Sequence, residues 1–316
     1  MSKLAVIAVG GNSLIKDDKN VTVEDQMVAL RETAHHIADM IEAGWDLAIG
    51  HGNGPQVGFI LRRSEIAAKV EGMHEVPLDV CGADSQGAIG YEFQQALQNE
   101  YYKRGINKGA ATVITQMLVD QKDPAFQKPS KPIGSFMDEA SAKKRESEMG
   151  WSVVEDAGRG WRRVVPSPLP KRIIELESVR LLLNAGVTVI TVGGGGIPVI
   201  DKGDGMFEGT AAVIDKDFAS SLLAQEIGAE LFLIATAVEK VAINFGKPEQ
   251  KWLDKMTLKE AKAYLAEGTH FAKGSMAPKI QAIIWFLENG GKQALITNPE
   301  NIGRALKGET GTWIVK

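Results

Sequence analysis

Three glycine-rich segments, each placed directly after a short apolar run, constrain the fold of this chain more than any other feature. The apolar runs are 4–9, 46–49 and 187–192, and the glycine-rich segments that follow them are 10–12, 50–54 and 193–196. A short apolar run that ends in glycines is typical of a buried β-strand followed by a turn. Helical patterns lie between these strands, so the sequence predicts a mainly parallel sheet with helices on both faces.

The helices are indicated by apolar spacing and by capping residues. In residues 24–43 the apolar positions recur at intervals of three and four, which marks one face of a helix. Thr22 and Asp25 resemble a capping box at its start, and Gly44 suits its end. Similar patterns predict helices at 173–185, 218–227 and 280–288, a further helix that begins with Thr257 and Glu260, and strands at 112–115 and 231–235.

One stretch, from about residue 120 to 170, interrupts this alternation. It is polar, it contains six of the 12 prolines, and it includes the basic residues Arg159, Arg162 and Arg163. A loop of this length inside a compact domain usually has a function of its own. We therefore expect a small protruding subdomain here, of the kind that covers a binding site.

The composition excludes several classes of protein. Lys and Arg number 36 against 40 Asp and Glu, and the net charge of −4 argues against a nucleic-acid or membrane partner. Cys81 is the only cysteine, which excludes a zinc site built from cysteines, and we expect it to be a buried small residue. No apolar run approaches the roughly 18–20 residues of a membrane span, and the first residues do not resemble a signal peptide. We therefore expect a cytoplasmic protein.

The glycine-rich loops indicate a site for an anion, because ligands of parallel α/β sheets bind at the carboxyl ends of the strands. Glycine lets the backbone approach a phosphate, and the N–H groups at a helix start supply positive potential. The loops match neither the P-loop motif nor the dinucleotide motif G-x-G-x-x-G, whose third glycine is replaced by Pro55 or Val57. A nicotinamide dehydrogenase is therefore disfavoured.

Three lysines are candidates for contacts with phosphate groups. Lys216 stands between Asp215 and Asp217 at a predicted helix start, Lys279 precedes another predicted helix, and Lys131 lies in the proline-rich stretch. Most lysines are solvated surface charges. Residue type alone leaves that alternative open for all three.

Longer motifs, distributed along the whole chain, carry more information than these single residues. They are GGN at 10–12, HGNGPQVG at 51–58, QGAIGY at 86–91, DPAF at 123–126, KPIG at 131–134, GRGWRRVVPSP at 158–168, GGGGIP at 193–198, AVIDKD at 212–217 and GSMAPK at 274–279. In these motifs the chain resembles the carbamate kinases of the amino-acid-kinase superfamily.

The resemblance implies the amino-acid-kinase fold, which is a three-layer αβα domain spanning residues 1–316. An N-terminal lobe, 1–190, would bind the acceptor and carry the protruding subdomain, and a C-terminal lobe, 191–316, would bind the nucleotide. The implied reaction is reversible phosphoryl transfer between ATP and carbamate, run in arginine catabolism from ADP and carbamoyl phosphate to ATP. ATP or ADP would be a substrate, Mg²⁺ would bridge the nucleotide phosphates without a metal site in the protein, and the enzyme would be a homodimer.

The resemblance also implies the roles of individual residues. The catalytic residues would be Lys131, Lys216, Lys279 and Asp215. The acceptor and the phosphoryl group would be held by Gly10, Gly11, Asn12, Gly52, Asn53, Gly194 and Gly195, and the nucleotide by Asp217, Ala237, Phe245, Met276 and Pro278. Carbamate is already an anionic nucleophile and needs no general base, so His51 is expected to be a loop histidine bonded to the backbone.

The chain departs from the common family pattern at Ser13, Gly50, Asp84 and Ser130. We expect the first three to lie in or near the acceptor pocket, which leaves open a kinase of the same fold that acts on another small carboxylate. A catalytically silent regulator that binds nucleotide is a further alternative, and the retained lysines argue against it.

Overall fold

A computed structural model gives the fold for residues 3–11, 14, 22–155, 158, 160–203, 205–272 and 274–316. In these ranges the strands are β1 Lys3–Val9, β2 Trp45–His51, β3 Ala110–Thr112, β4 Gln116–Val119, β5 Lys131–Met137, β6 Ser152–Glu155, β7 Trp161–Val165, β8 Pro170–Ile173, β9 Thr188–Ile190, β10 Ile197–Asp201, β11 Phe207–Gly209, β12 Leu231–Ala235, β13 Val241–Ile243, β14 Lys251–Leu253, β15 Lys255–Thr257, β16 Gln293–Thr297 and β17 Thr312–Val315. The α-helices are α1 Val23–Glu42, α2 Gly54–Glu71, α3 Leu78–Arg104, α4 Glu139–Met149, α5 Leu176–Asn184, α6 Lys216–Glu226, α7 Leu258–Glu267, α8 Met276–Glu288 and α9 Ile302–Leu306. None of the helices in the described ranges combines the length and apolar composition that a membrane span requires.

The central sheet has eight strands in the order β15-β17-β16-β12-β1-β2-β9-β3. Neighbouring strands in this sheet run parallel, except for β16 and β17, which are antiparallel. At the carboxyl edge Val9 is aligned with Ala235 on one side and with His51 on the other. The predicted parallel sheet is confirmed, and the turns after β1, β2 and β12 meet at one edge.

Successive side chains of β1 enter two separate cores. Ala5, Ile7 and Val9 pack with residues of α1 and α3, whereas Val6 and Ala8 pack with residues of α6 and α8. Because successive side chains of a strand point to opposite faces, a strand covered on both faces must be apolar throughout. This explains the uninterrupted apolar run at the start of the chain and confirms a three-layer arrangement.

Several predicted elements agree with the structure, and others begin or end elsewhere. The capping box of Thr22 and Asp25 is present in both directions, and so is that of Thr257 and Glu260. The strand predicted at 231–235 coincides with β12. The helix predicted from 218 begins at 216 and the one predicted from 280 begins at 276, because Asp215 and Ser275 are the residues at their caps.

Two predictions near the middle of the chain were wrong in their bounds. The strand expected at 112–115 is Ala110–Thr112, because the backbone N–H of Thr115 bonds to a side chain of α3 instead of a strand. Residue 173 of the helix expected at 173–185 ends β8, and the helix itself is Leu176–Asn184.

The long helix α3 was not indicated by the sequence patterns. Its buried side includes the polar residues Ser85, Gln86, Glu92 and Glu100. These residues interrupt the apolar spacing by which a buried helix is recognised.

The stretch expected to be a long loop contains a small sheet of its own. Strands β5, β7 and β6 form an antiparallel sheet in that order, with α4 between β5 and β6 in the sequence. Ile133 of β5 and Val165 of β7 pack against Val57 and Leu61 of α2. Strands β4 and β8 belong to a second sheet, ordered β11-β10-β4-β8.

Candidate active site

A cleft of about 380 Å³ opens at the carboxyl edge of the central sheet. Its walls come from turns after β1, β2 and β12, from the glycine turn at 193–196, from the start of β5, and from the starts of α6 and α8. The predicted site residues that line it are Gly10, Gly11, Gly52, Asn53, Lys131, Gly194, Asp215, Lys216, Asp217, Ala237, Pro278 and Lys279. Asn12 lies outside the described residues.

Three helices begin at this cleft. Helix α2 follows Asn53, α6 follows Asp215 and α8 follows Ser275. The first N–H groups of a helix have no partner within the helix and carry positive potential. Neither Asn53 nor Ser275 caps its helix with a side-chain hydrogen bond, so no capping side chain competes with a ligand at these two helix starts. Pro55 and Pro278 have no N–H, and the N–H of Ala277 donates to the carbonyl oxygen of Ala272, so only some of the first N–H groups are available. Convergent helix starts of this kind favour a polyanion.

The charged groups of the cleft form one connected cluster of three lysines and two aspartates. The Nζ atoms of Lys216 and Lys279 lie 2.5 and 2.8 Å from the two carboxylate oxygens of Asp217. The Nζ of Lys131 lies 2.6 Å from Oδ2 of Asp215, whose Oδ1 accepts the backbone N–H of Asp217 at 2.9 Å. The cluster carries one net positive charge, which a phosphate group would neutralise.

Burial and charge together set the pKa values in this cluster. Burial alone would raise the pKa of both aspartates, but the lysines outweigh it and hold the pKa of Asp217 and of Asp215 below the usual range. Burial lowers the pKa of Lys216, and the neighbouring charge of Lys279 adds to this. Burial acts the same way on Lys279, but Asp217 more than compensates and raises its pKa. Of these two lysines, Lys216 is therefore the one whose charged form burial disfavours, even with Asp217 beside it.

Two glycines of the turn after β9 allow close approaches that no side chain would permit. A Cβ on Gly194 would lie 2.2 Å from Nδ2 of Asn53, and one on Gly195 would lie 2.4 Å from the carbonyl oxygen of Ile214. Both have a positive φ. Gly194 lines the cleft, but Gly195 lies behind its wall, where it packs against the segment that leads to Asp215. Gly195, which the family resemblance assigned to the acceptor site, is therefore not among the residues that line the cleft.

Residues of α3 hold this turn from behind, and sequence reasoning did not assign them a role. The side-chain amide of Gln86 donates to the carbonyl oxygen of Gly193 at 2.9 Å, and Asn53 donates to the hydroxyl of Ser85 at 2.7 Å. Just before the turn, Val192 has a φ of 45°, which is rare for a β-branched residue. The QGAIGY motif at 86–91 was a sequence signal for Gln86, whereas nothing in the sequence analysis pointed to Ser85.

His51 is a buried, neutral residue beneath the cleft. Burial lowers its pKa to about 4, and the charge of Lys216 also disfavours protonation. Its Nδ1 lies 2.9 Å from the carbonyl oxygen of Gly52, to which the neutral ring donates. The expected bond to the backbone is confirmed, but His51 is the last residue of β2 and not a loop residue.

Cys81 is also buried, and burial raises the pKa of its thiol to about 11. A thiol with a raised pKa is a poor nucleophile. The expectation of a buried small residue is confirmed.

The residues expected around adenine are divided between two adjoining cavities. Ala237 and Pro278 line the main cleft, whereas Phe245 and Met276 line a smaller cavity of about 110 Å³. Ser275 lines both. The smaller cavity is mainly apolar and lies beside the end of the cleft that contains Lys279, so the two could be occupied by one elongated ligand.

The departures from the family pattern lie mostly away from the cleft, contrary to expectation. A Cβ on Gly50 would lie 2.4 Å from Oγ of Ser220, so Ser220 fills the space that a larger residue 50 would need. Asp84 is exposed on α3, and neither residue lines the cleft. Ser13 lies outside the described residues. Gly50 and Asp84, two of the three residues that suggested a changed acceptor pocket, therefore do not support one.

Comparison with known proteins places this site in a family. Residues 3–298 match the family model described as the amino acid kinase family, and the chain belongs to that family. It is 51% identical to the carbamate kinase of Thermococcus kodakarensis, over 99% of each chain. It is 49% identical to the carbamate kinase-like protein YahI of Escherichia coli, over 100% of each chain. The structure of Giardia lamblia carbamate kinase bound to AMP-PNP has a TM-score of 0.91 and 41% identity, covering 100% of this chain and 99% of that one.

Proposed function

We propose that this protein is a carbamate kinase, which transfers a phosphoryl group reversibly between ATP and carbamate. The observation that carries the proposal is the convergence of Lys131, Lys216 and Lys279 on the two carboxylates at the start of α6, in a cleft walled by glycine turns. The full-length identity to enzymes named carbamate kinase supports the choice of acceptor.

The transfer requires charge stabilisation more than covalent help from the protein. A carbamate oxygen forms a bond to the γ-phosphorus of ATP while the bond from that phosphorus to the bridging oxygen breaks, and ADP leaves with the bond's electron pair. Lys216 and Lys279 would neutralise the phosphate oxygens from the nucleotide side. Lys131 would reach the transferred group from the other side of the cleft. Asp215 and Asp217 would hold the three Nζ atoms in place until the substrate arrives.

The acceptor would be held by the uncharged wall of the cleft. The backbones of Gly10, Gly11 and Gly52 line it, and Asn53 and Gly194 complete the wall. The N–H groups of Gly10 and Gly52 already donate to the carbonyl oxygens of Ala235 and Val9, so of these three glycines it is Gly11 whose N–H would bind the acceptor. Carbamate needs no deprotonation before it attacks, and the neutral His51 uses its Nδ1–H to bond the carbonyl oxygen of Gly52. The proposal thus contains no general base.

The nucleotide would extend from the lysine cluster past Ala237 and Pro278 towards Phe245 and Met276. The relative from Giardia lamblia was solved with AMP-PNP, which supports a nucleotide in this cleft. Mg²⁺ would be held chiefly by phosphate oxygens, since the carboxylates of Asp215 and Asp217 are already bonded to lysines. Among the described residues, no three Asp, Glu, His or Cys side chains are grouped as a metal site would need. When bound, the ion would offset phosphate charge during transfer.

We further infer a division into an acceptor lobe, 1–190, with its protruding subdomain, and a nucleotide lobe, 191–316. In the central sheet, β1, β2, β3 and β9 come from the first range, and β12, β15, β16 and β17 come from the second. A cytoplasmic homodimer that serves arginine catabolism remains a prediction from the family. Light scattering on the purified protein tests the dimer.

A second candidate, the same chemistry on another small carboxylate, is favoured by one observation. The relatives include a protein named only carbamate kinase-like. The placement of Gly50 and Asp84 away from the cleft weighs against this candidate, as shown above. A silent regulator is opposed by the intact lysine cluster.

The test is to incubate the protein with ADP, MgCl₂ and carbamoyl phosphate and to measure ATP with luciferase. We expect ATP formation well above that of a protein-free blank and of the Lys216→Ala variant. Acetyl phosphate and other acyl phosphates are tested in parallel. ATP formed only from one of these would transfer the assignment to the second candidate, and nucleotide binding without turnover on any donor would favour the regulator.

A further inference from the structure

The backbones of α2 and β5 touch at Gly58 and Gly134. A Cβ built on Gly58 would lie 2.2 Å from both the N and the Cα of Gly134, whereas ordinary contacts of a Cβ begin at 3.4 Å. The neighbouring atoms are backbone atoms, so a change of side-chain rotamer cannot relieve the clash. Any side chain at residue 58 would push the two elements apart by about 1.2 Å or more, the difference between these two distances.

Each end of this contact leads directly to a wall of the cleft. Gly58 lies one turn into α2, whose first residues Gly54 and Pro55 line the cleft. Gly134 lies three residues after Lys131 on β5, a distance of about 10 Å along a strand. The position of Lys131 over the cleft therefore depends on how closely β5 approaches α2.

The strand is shaped for this approach. Gly134 has a φ of 70°, and the pairing of β5 with β7 shifts register between Ile133 and Met137. A residue with positive φ at a bulge bends a strand locally. Arg162 of β7 donates to the carbonyl oxygen of Gly134 at 2.9 Å, which holds the bend.

The same face of α2 fixes the small sheet at two further points. Leu61 packs against Ile133 within one apolar cluster, and Glu65 accepts a hydrogen bond from Arg163 of β7 at 2.8 Å. Residues 58, 61 and 65 are spaced for one side of a helix. Of these three contacts, the one at Gly58 is nearest to the cleft and is the only backbone-to-backbone contact.

We propose that the contact between Gly58 and Gly134 sets the distance of Lys131 from the reacting phosphoryl group, and that Gly58 is a positioning residue for the transfer. The proposal rests on the function proposed above. It assigns to Gly58 a role in the rate of transfer and none in nucleotide binding.

The test compares Gly58→Ala with Gly87→Ala, in the assay of ATP formation from ADP and carbamoyl phosphate. Gly87 is an exposed helical glycine on α3 with no atom within 4 Å of an added Cβ, so its substitution is the matched control. We expect kcat of Gly58→Ala to fall about 10- to 100-fold, because a misplacement of about 1 Å has effects of this size. The KM for ADP should stay within about twofold of the wild-type value, and Gly87→Ala should match the wild type.

A double variant separates positioning from a general structural defect. If Gly58 acts through Lys131, Gly58→Ala should cause little further loss of kcat in a Lys131→Ala background. A full additional loss in that background, or an equal loss of ADP affinity, would overturn the proposal. A raised KM for carbamoyl phosphate with unchanged kcat would also overturn it, since that result places the effect in the start of α2.

Should Gly58→Ala fail to fold, Gly134→Ala takes its place. A Cβ at residue 134 has its nearest neighbour at 3.8 Å, so this variant acts only through the positive φ of β5. A fall in kcat that disappears in the Lys131→Ala background supports the proposal, and an unchanged kcat contradicts it. If the wild-type protein makes no ATP, the proposed function itself is wrong. If the wild type is active and the glycine variants are unaffected, only the positioning role is wrong.

Discussion

The two walls of the cleft are built to hold anions by different means. The wall formed by the turns after β1 and β2 has no charged side chain among the described residues that line it, and it consists largely of glycine backbone. The opposite wall carries Asp215, Lys216, Asp217 and Lys279, which are mostly buried and linked to one another. If the proposed function is correct, shape selects the small acid on one side and charge neutralises the phosphates on the other.

Lys131 is the exception to this division. It comes from the small sheet beside α2, and it crosses the cleft to pair with Asp215 of the charged wall. Its side chain is 28% exposed, against 11% for Lys216 and 14% for Lys279. We therefore propose that the two buried lysines serve binding and charge neutralisation, and that the more exposed Lys131 serves the transfer step.

The largest effect is expected from Lys216→Ala. The change removes a buried charge next to Asp217, and we expect kcat/KM for ATP formation to fall about 1,000-fold, or about 4 kcal/mol of transition-state stabilisation. Steady-state kinetics with ADP and carbamoyl phosphate measure it. Lys262→Ala is the control, because Lys262 is an exposed lysine paired with Glu288 far from the cleft. A loss of less than tenfold would be incompatible with a charged wall that neutralises phosphates.

Lys131→Ala should have the next largest effect, and one of a different kind. We expect kcat to fall about 100-fold while the KM for ADP changes by less than about threefold, because Lys131 lies across the cleft from the nucleotide residues. Titration of ADP by calorimetry provides an independent affinity. If the affinity for ADP and kcat fell together, Lys131 would belong with the binding lysines, and the proposed difference in role between Lys131 and the two buried lysines would be wrong.

The uncharged wall is tested by Gly52→Ala. A Cβ on Gly52 would lie 3.5 Å from Cδ of Lys216 and 3.7 Å from the N atom of Gly11, so the fold accommodates the methyl group but the acceptor site loses space. We expect the KM for carbamoyl phosphate to rise about tenfold, which corresponds to about 1.4 kcal/mol, with the KM for ADP unchanged. Gly87→Ala again serves as the control. A rise in the KM for ADP alone would place Gly52 in the nucleotide site.

The smallest effect on activity is expected from His51→Gln, because His51 supplies no charge. Its effect should appear in stability instead. The unfolded chain protonates this histidine below pH 6.5 and the native state resists until about pH 4, so the unfolded state binds more protons in between and stability falls as pH falls. The free energy of unfolding attributable to His51 should decline over this range by up to about 3 kcal/mol.

Urea unfolding at several pH values between 7 and 4 compares the wild type with His51→Gln. The variant should lack this part of the pH dependence, whereas the control His74→Gln, at an exposed position, should retain it. Identical pH dependence in the wild type and in His51→Gln would mean that His51 is not held neutral.

Much of the fold could be predicted from local patterns. Apolar runs mark β1, β2 and β12 because both faces of each strand are covered, and the capping boxes of α1 and α7 are contacts between residues three apart. Such contacts depend on neighbours in the chain, which a sequence displays directly. Helix α3 was not predicted because buried polar residues break its apolar spacing. Ser85 and Gln86 support the cleft, whereas Glu92 and Glu100 bond to Gln26 and His35 of α1.

Only part of the candidate site could be predicted from the sequence. The glycine loops indicated an anion site, and family motifs singled out Lys131, Lys216 and Lys279. Only the tertiary structure brings Lys131 to Asp215, 84 residues away, and Lys279 to Asp217, 62 residues away. It also places Gly195 and Gly50 behind the cleft wall and sets Gly58 against Gly134. The physical reason is that these contacts depend on how helices and strands pack against one another. Neither the type of a residue nor its position along the chain gives the distance between two backbone segments.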